Sequence, residues 1–136
     1  MILVATSAWV EYDRATGSPV DRRLFELISS GDLVAITEPV VMEVTAGARS
    51  REREADLRRM LLRFHLLRFD AAVDFDAAAR IYRTCRSRGV TPRRMLDCMI
   101  ANVAHRHGAA LLALDSDLSR IAEVVGVEMD AGSGLS

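Results

Sequence analysis

The 136-residue chain has no lysine and no glutamine, and all eighteen of its basic residues are arginine. Codon usage in a GC-rich genome accounts for that bias. Its consequence is that every cationic contact is a planar fork suited to phosphate or carboxylate. Cysteine is nearly absent. Cys85 and Cys98 stand at no zinc-ligand spacing, which argues against a disulfide scaffold or thiolate metal centre and leaves them as small buried apolar residues. No apolar run is long enough to span a bilayer. Met1-Ile2-Leu3-Val4 lacks the basic flank and cleavage site of a signal peptide, so the expected location is the cytoplasm. A strong charge imbalance is also missing, and the net charge of −1 argues against nonspecific polyanion binding over the whole surface. Aromatic residues are few, and Trp9, Tyr12 and Phe25 read as core or interface rather than as a base-stacking platform. There is no internal repeat and no low-complexity segment.

What is present is one domain's worth of chain. A 15.0 kDa protein buries roughly 68% of its unfolded surface, enough for a hydrophobic core without staples. The apolar run Met1 to Val4 turns polar at Thr6 and Ser7, as a buried parallel strand does at its carboxyl end. Ser18-Pro19 opens a helix carrying Val20, Leu24, Leu27 and Ile28 up to Gly31. A strand over 33–36, a helix from Pro39 to Gly47, an exposed helix over 49–63 and a strand over 65–69 follow. The spacing then predicts helices over 72–88 and from Thr91-Pro92 to His107, a buried strand over 109–114, and a last helix ending at Gly126. Residues 127–129 read as a final strand. Alternating strands and helices predict an α/β domain with a mostly parallel sheet. It is expected to span residues 1–130, with 131–136 a frayed tail.

In such a sheet the crevice lies beyond the carboxyl ends of the strands, and the acids collect there. Asp115 and Asp117 directly follow the clearest strand. One can cap the next helix, which leaves the other free for chemistry. Asp97 lies in an apolar helix between Leu96 and Cys98, where an ionised carboxylate needs a partner or a metal. Arg93, four residues earlier, is the candidate partner. Glu43 lies between Met42 and Val44 on a short apolar helix, where it is either a site residue or a first-turn acid favoured by the helix dipole. His105 and His107, two apart on a helix, face different directions and cannot share one ion. Arg80, Arg83, Arg86, Arg88, Arg93 and Arg94 form a basic stretch that is either a solvated face or a phosphate-binding rim.

Taken together, these segments resemble the PIN domain of the VapC ribonuclease toxins. The opening Met1-Ile2-Leu3-Val4-Ala5-Thr6-Ser7-Ala8-Trp9 is similar to that family's strand followed by Asp-Thr-Ser. Glu38-Pro39-Val40-Val41-Met42-Glu43-Val44 resembles the segment with its conserved Glu. Asp97-Cys98-Met99-Ile100-Ala101 resembles its Asp-x-x-Ile-Ala helix, and the stretch from Leu111 to Leu118 resembles its late strand ending in Asp-x-Asp. The likeness covers the whole chain in the right order.

The resemblance implies a three-layer α/β/α fold and an endoribonuclease toxin of a type II toxin–antitoxin pair. It implies Glu43, Asp97 and Asp115 as catalytic and metal-holding acids, Asp117 as a further catalytic acid, and Thr6 and Ser7 as auxiliary polar residues. It also implies a VapB-type antitoxin, an RNA substrate and a homodimer as partners. An antitoxin arginine can neutralise such an acidic pocket through charge-assisted bonds. Two positions depart from the pattern: Ala5 stands where the family has its first metal-ligating aspartate, and Ala113 where many members have Thr. An all-carboxylate cluster selects Mg²⁺ or Mn²⁺ over Zn²⁺. With Ala5 in place, hydrolysis is expected to be weak or absent, and a bare carboxylate cluster is expected to be less strained than one carrying a further Asp. The alternative is a non-catalytic PIN-fold protein that holds RNA or an antitoxin. A receiver-type phosphotransfer domain also gathers acids at strand ends, but it needs a lysine that this chain lacks.

Overall fold

The computed structural model describes residues 1–135. Among them the chain runs β1 (Ile2–Val4), α1 (Thr6–Asp13), α2 (Pro19–Ser30), β2 (Val34–Ile36), α3 (Glu38–Ala46), α4 (Arg51–Leu61), β3 (His65–Leu66), α5 (Asp74–Ser87), α6 (Met95–His107), β4 (Ala110–Leu112) and α7 (Ser116–Val125). The four strands form one sheet in the order β3-β2-β1-β4, every pair parallel. Leu3 lies opposite both Ala35 and Leu111, and all three are fully buried. A parallel sheet shows this continuous apolar character because helices cover both faces. The α/β class expected from the sequence is the class observed.

The strand order fixes where a site can form. From β1 the chain steps outward to β2 and β3, then crosses back to place β4 on the other side of β1. The order therefore reverses between β1 and β4, and a crevice opens beyond their carboxyl ends. Ala5 follows β1 there, tied to β4 by its backbone N–H donating to the Leu112 carbonyl at 2.9 Å.

Several boundaries differ from expectation. Helix α1 is not marked by the sequence pattern, because its buried residues, Ala8 and Trp9, are adjacent and give no three-or-four spacing. Trp9 is fully buried and packs edge-on against Tyr12, whereas Phe25 is 62% exposed and belongs to no core. Helix α6 starts at Met95 rather than near Pro92. The Asp117 carboxylate accepts the Arg93 backbone N–H at 3.0 Å, and Arg94 is extended (φ −136°, ψ 137°), so the segment is held off helical geometry. Strand β3 stops at Leu66, since the Phe69 N–H donates to the Glu38 carboxylate instead of continuing the ladder.

Residues 127–129 make a single parallel bridge, Leu111 to Met129, rather than a strand. The segment beyond, read as frayed, lies along β4 up to Gly134, which accepts from the Asp115 N–H and donates to the Ala113 carbonyl. Ser133 Oγ accepts from the Ala113 N–H and donates to the Leu111 carbonyl, so the edge of β4 is covered. Cys85 and Cys98 are both buried free thiols, and burial pushes Cys98 up to about 12, which makes it inert as a thiolate. No helix among the described residues is long and apolar enough to cross a membrane.

Candidate active site

Three helices start at the crevice, and their N-cap residues are Ala5 (α1), Arg94 (α6) and Asp115 (α7). All three line one small cavity of about 150 Å³, together with Thr6, Ser7, Glu43 and Asp97. No side chain caps α1 or α6, and uncapped backbone N–H groups at helix N-termini favour an anion, so the pocket combines acids with a dipolar preference for negative ligands.

Each acid is fixed by its own element. Asp115 caps α7 with one oxygen, Oδ1, which accepts from the Asp117 N–H at 2.9 Å and the Leu118 N–H at 3.1 Å. Its Oδ2 is left to face Arg94 at 4.0 Å. Asp97, in the first turn of α6, has a side chain only 3% exposed and accepts from Arg94 Nη2 at 2.8 Å. Glu43 reaches in from α3, accepting from Thr6 Oγ1 at 2.7 Å and from Arg94 Nη1 at 2.5 Å. Ser7 Oγ accepts the Leu114 N–H at 2.9 Å, which ties the start of α1 to the strand leading to Asp115.

The expected convergence of Glu43, Asp97 and Asp115 is thus what the fold produces, although 54 and 18 residues separate them in sequence. Asp117 does not line the cavity. It holds the Arg93 N–H and lies 3.7 Å from Arg120, so it supports the 93–94 segment from behind. The partner expected for Asp97 was Arg93. The residue that meets it is Arg94, because the late start of α6 puts position i−3 at the N-cap. Of the six arginines in the basic stretch, Arg94 alone lines this cavity. Sequence reasoning named it only within the basic stretch, as a solvated face or phosphate-binding rim, and the one signal for its contact with Asp97 was an arginine three residues before an acid at a helix start.

Ala5 is 2% exposed and, as N-cap of α1, supplies no side-chain acceptor. The donor set is all oxygen, which suits a hard cation. The spacing is another matter: among the described residues, no three His, Cys, Asp or Glu side chains are gathered as a metal would need. The Arg94 fork lies between the carboxylates, so the bare-cluster repulsion expected from the sequence is partly neutralised.

Asp97 carries the electrostatic record of this arrangement. Burial pushes its carboxyl up, Arg94 pulls it back, and Asp115 and Glu43 add to the rise, leaving it at about 6 against an ordinary 3.8. The folded chain then holds this proton more tightly than the unfolded one. Its ionisation works against folding by roughly 3 kcal/mol, a penalty absent below about pH 4 and complete above about pH 6. In carbon-detected NMR of the metal-free protein, the Asp97 carboxyl is expected to titrate near pH 6. A midpoint near 4 would remove this account of the site.

Comparison with known proteins agrees with the geometry. The PIN-domain family profile matches residues 2–124, nearly the whole chain. The chain is a PIN domain. It is also 42% identical over 129 residues to ribonuclease VapC11 of Mycobacterium tuberculosis, covering 94% of this chain and 96% of that one. It therefore belongs to the VapC ribonucleases within the PIN family. Among solved structures, FitAcB from Neisseria gonorrhoeae superposes with a TM-score of 0.73 at 21% identity, over 97% of this chain and 98% of that one. VapBC2 from Rickettsia felis, bound to a DNA fragment from its promoter, gives 0.69 at 19% identity over 100% and 98%. At those identities the two structures support the fold alone.

Proposed function

We propose that this protein is an endoribonuclease toxin whose centre is formed by Glu43, Asp97 and Asp115 with Mg²⁺ or Mn²⁺, and that Ala5 leaves that centre short of one oxygen ligand. The observation that carries the reading is the convergence of three acids from α3, α6 and α7 on one cavity at the strand-order reversal. A divalent cation, when bound, supplies charge that polarises a phosphoryl oxygen and makes a water more acidic. The chain's own residues do the rest. The N-termini of α1 and α6, which no side chain caps, favour the phosphodiester in the pocket, whereas that of α7 is already capped by Asp115. Thr6 orients the Glu43 carboxylate and Ser7 locks α1 to the β4 end, which fixes the elements around the cavity relative to one another. Asp117 serves by holding the loop before α6.

The proposed partners are RNA, a VapB-type antitoxin and a second copy of the chain. The antitoxin is proposed from the chain's membership of the VapC ribonucleases, at 42% identity to VapC11 of Mycobacterium tuberculosis. An antitoxin arginine entering this pocket meets Arg94 already there, so its electrostatic gain is smaller than a vacant acidic pocket gives. Ala5 favours a second reading, a PIN-fold protein that binds RNA or antitoxin and cleaves nothing.

The test is cleavage of a labelled RNA at enzyme excess, with Mn²⁺ and with chelator, by the protein and by Asp97→Asn. Slow Mn²⁺-dependent cleavage that Asp97→Asn abolishes is the expected result. RNA binding without cleavage, even after Asp is placed at position 5, would establish the second reading instead.

A further inference from the structure

The three carboxylates assigned above to a divalent cation are already engaged by a cation of the chain itself. Arg94 donates from Nη1 to Glu43 at 2.5 Å and from Nη2 to Asp97 at 2.8 Å, and Nη2 lies 4.0 Å from Asp115. One guanidinium thus spans acids from α3, α6 and α7. The geometry points to Arg94 as an intramolecular competitor of the divalent cation, which must withdraw its fork before Glu43, Asp97 and Asp115 can close on a metal. The inference rests on the reading of this centre as a divalent-cation site.

Three observations support it. A hard cation sits about 2.0–2.6 Å from its oxygen ligands and would use the lone pairs that the guanidinium now occupies. Consistent with that exclusion, no metal-spaced group of three exists among the described residues in this arrangement. The fork also has a way out, since the Arg94 side chain is 49% exposed and its backbone is the extended N-cap of α6. It can swing into solvent without unwinding a helical turn. Charge gives the direction of the exchange. The three carboxylates carry −3, which Arg94 reduces to −2 and a divalent cation in its place reduces to −1, so the metal neutralises the centre more fully.

The experiment is Mn²⁺ binding by titration calorimetry to the protein and to Arg94→Met, beside the metal-free melting temperature of each. Arg94→Met is expected to bind Mn²⁺ about tenfold tighter or more, because no cation has to be displaced, and to melt lower without metal, because the carboxylates lose their counter-charge. Unchanged or weaker Mn²⁺ binding by the variant, with clear binding by the parent, overturns the competition and leaves the proposed function standing. Binding by neither overturns both. Should Arg94→Met fail to fold, the parent still decides the matter. The Arg94 Nε–H resonance is expected to move toward the position of a solvated arginine as diamagnetic Mg²⁺ is added, and a resonance that stays fixed at saturation counts against the exchange.

Discussion

Ala5→Asp is expected to raise the Mn²⁺-dependent RNA cleavage rate by about 10²-fold or more. Position 5 is the N-cap of α1, 2% exposed, at the wall of the cavity that Glu43, Asp97 and Asp115 share. A carboxylate there would join the lining of that cavity. Removing even an outer-shell partner of a metal site costs about 10–100-fold in affinity or activity, so restoring a direct ligand should gain at least the upper end of that range. Stability should respond in two opposing ways. The new Asp can accept a free N–H of α1, which contributes about 1 kcal/mol. It also adds a fourth carboxylate, whose repulsion from a neighbour 4 Å away is about 4 kcal/mol at an effective dielectric near 20. Arg94 offsets part of that repulsion. The metal-free variant is therefore expected to melt a few degrees lower than the parent, and its melting temperature to rise more with Mn²⁺, as mass action requires of a tighter site. Calorimetric scans with and without Mn²⁺, beside the RNA assay, check each part. A variant that cleaves nothing and gains no more from Mn²⁺ than the parent would show that position 5 is not a ligand site.

How much of this centre could be read from the sequence depended on whether a position is set by periodicity or by a tertiary contact. Asp115 was legible because a buried parallel strand must end at the crevice, and Asp97 because a carboxylate in an apolar helix demands a partner. Glu43 was legible only through its likeness to the family segment. The assignment of Asp117 to catalysis was not resolvable. Two acids at i and i+2 look alike in sequence, and which one caps α7 is decided by the backbone of Asp115 (φ −162°, ψ 110°). Arg94 was hidden by the same long-range bond that delays α6, the Arg93 N–H to Asp117 contact across 24 residues. With α6 started at Pro92, Arg93 at i−4 looked like the natural partner of Asp97. Helix α1 was invisible for a different reason. It is tied at its N-terminal end, through Ala5 to β4 and Ser7 to Leu114, and buries the adjacent pair Ala8 and Trp9 rather than an apolar stripe.

The same blindness to long-range polar contacts hid the buried ion pair of Asp74 and Arg106, and its removal should give a large loss of stability. Asp74, at the start of α5, is fully buried and accepts from Asn102 Nδ2 at 2.7 Å, from Arg106 Nε at 2.8 Å and from the Asp70 N–H at 2.6 Å. Arg106 Nη2 bonds both Asp74 Oδ2 and the Arg68 carbonyl at 2.7 Å, so one side chain clamps α6 to α5 and to the segment after β3. Burial alone would push the Asp74 carboxyl up, yet Arg106, the Asp70 N–H and Asn102 bring it below its ordinary 3.8. Arg106→Met keeps most of the side chain's length and leaves Asp74 as an unpaired buried charge. Such a loss costs about 3–5 kcal/mol, which for a chain of this size lowers Tm by about 10–20 °C. The exposed pair Arg58–Glu54 is the control, and Arg58→Met is expected to cost under about 1 kcal/mol. Acidity supplies a second signature. A carboxyl held below its unfolded value contributes stability that is complete above about pH 4 and is lost as pH falls through its lowered folded value. The parent should therefore lose Tm steeply at acid pH. Arg106→Met, in which burial acts on Asp74 without the guanidinium, should instead recover part of its deficit there as Asp74 takes up a proton. Melting curves of both proteins from pH 3 to 7 test this, and a constant gap in Tm across that range would show that the Arg106–Asp74 charge pair is not what holds α5 and α6 together.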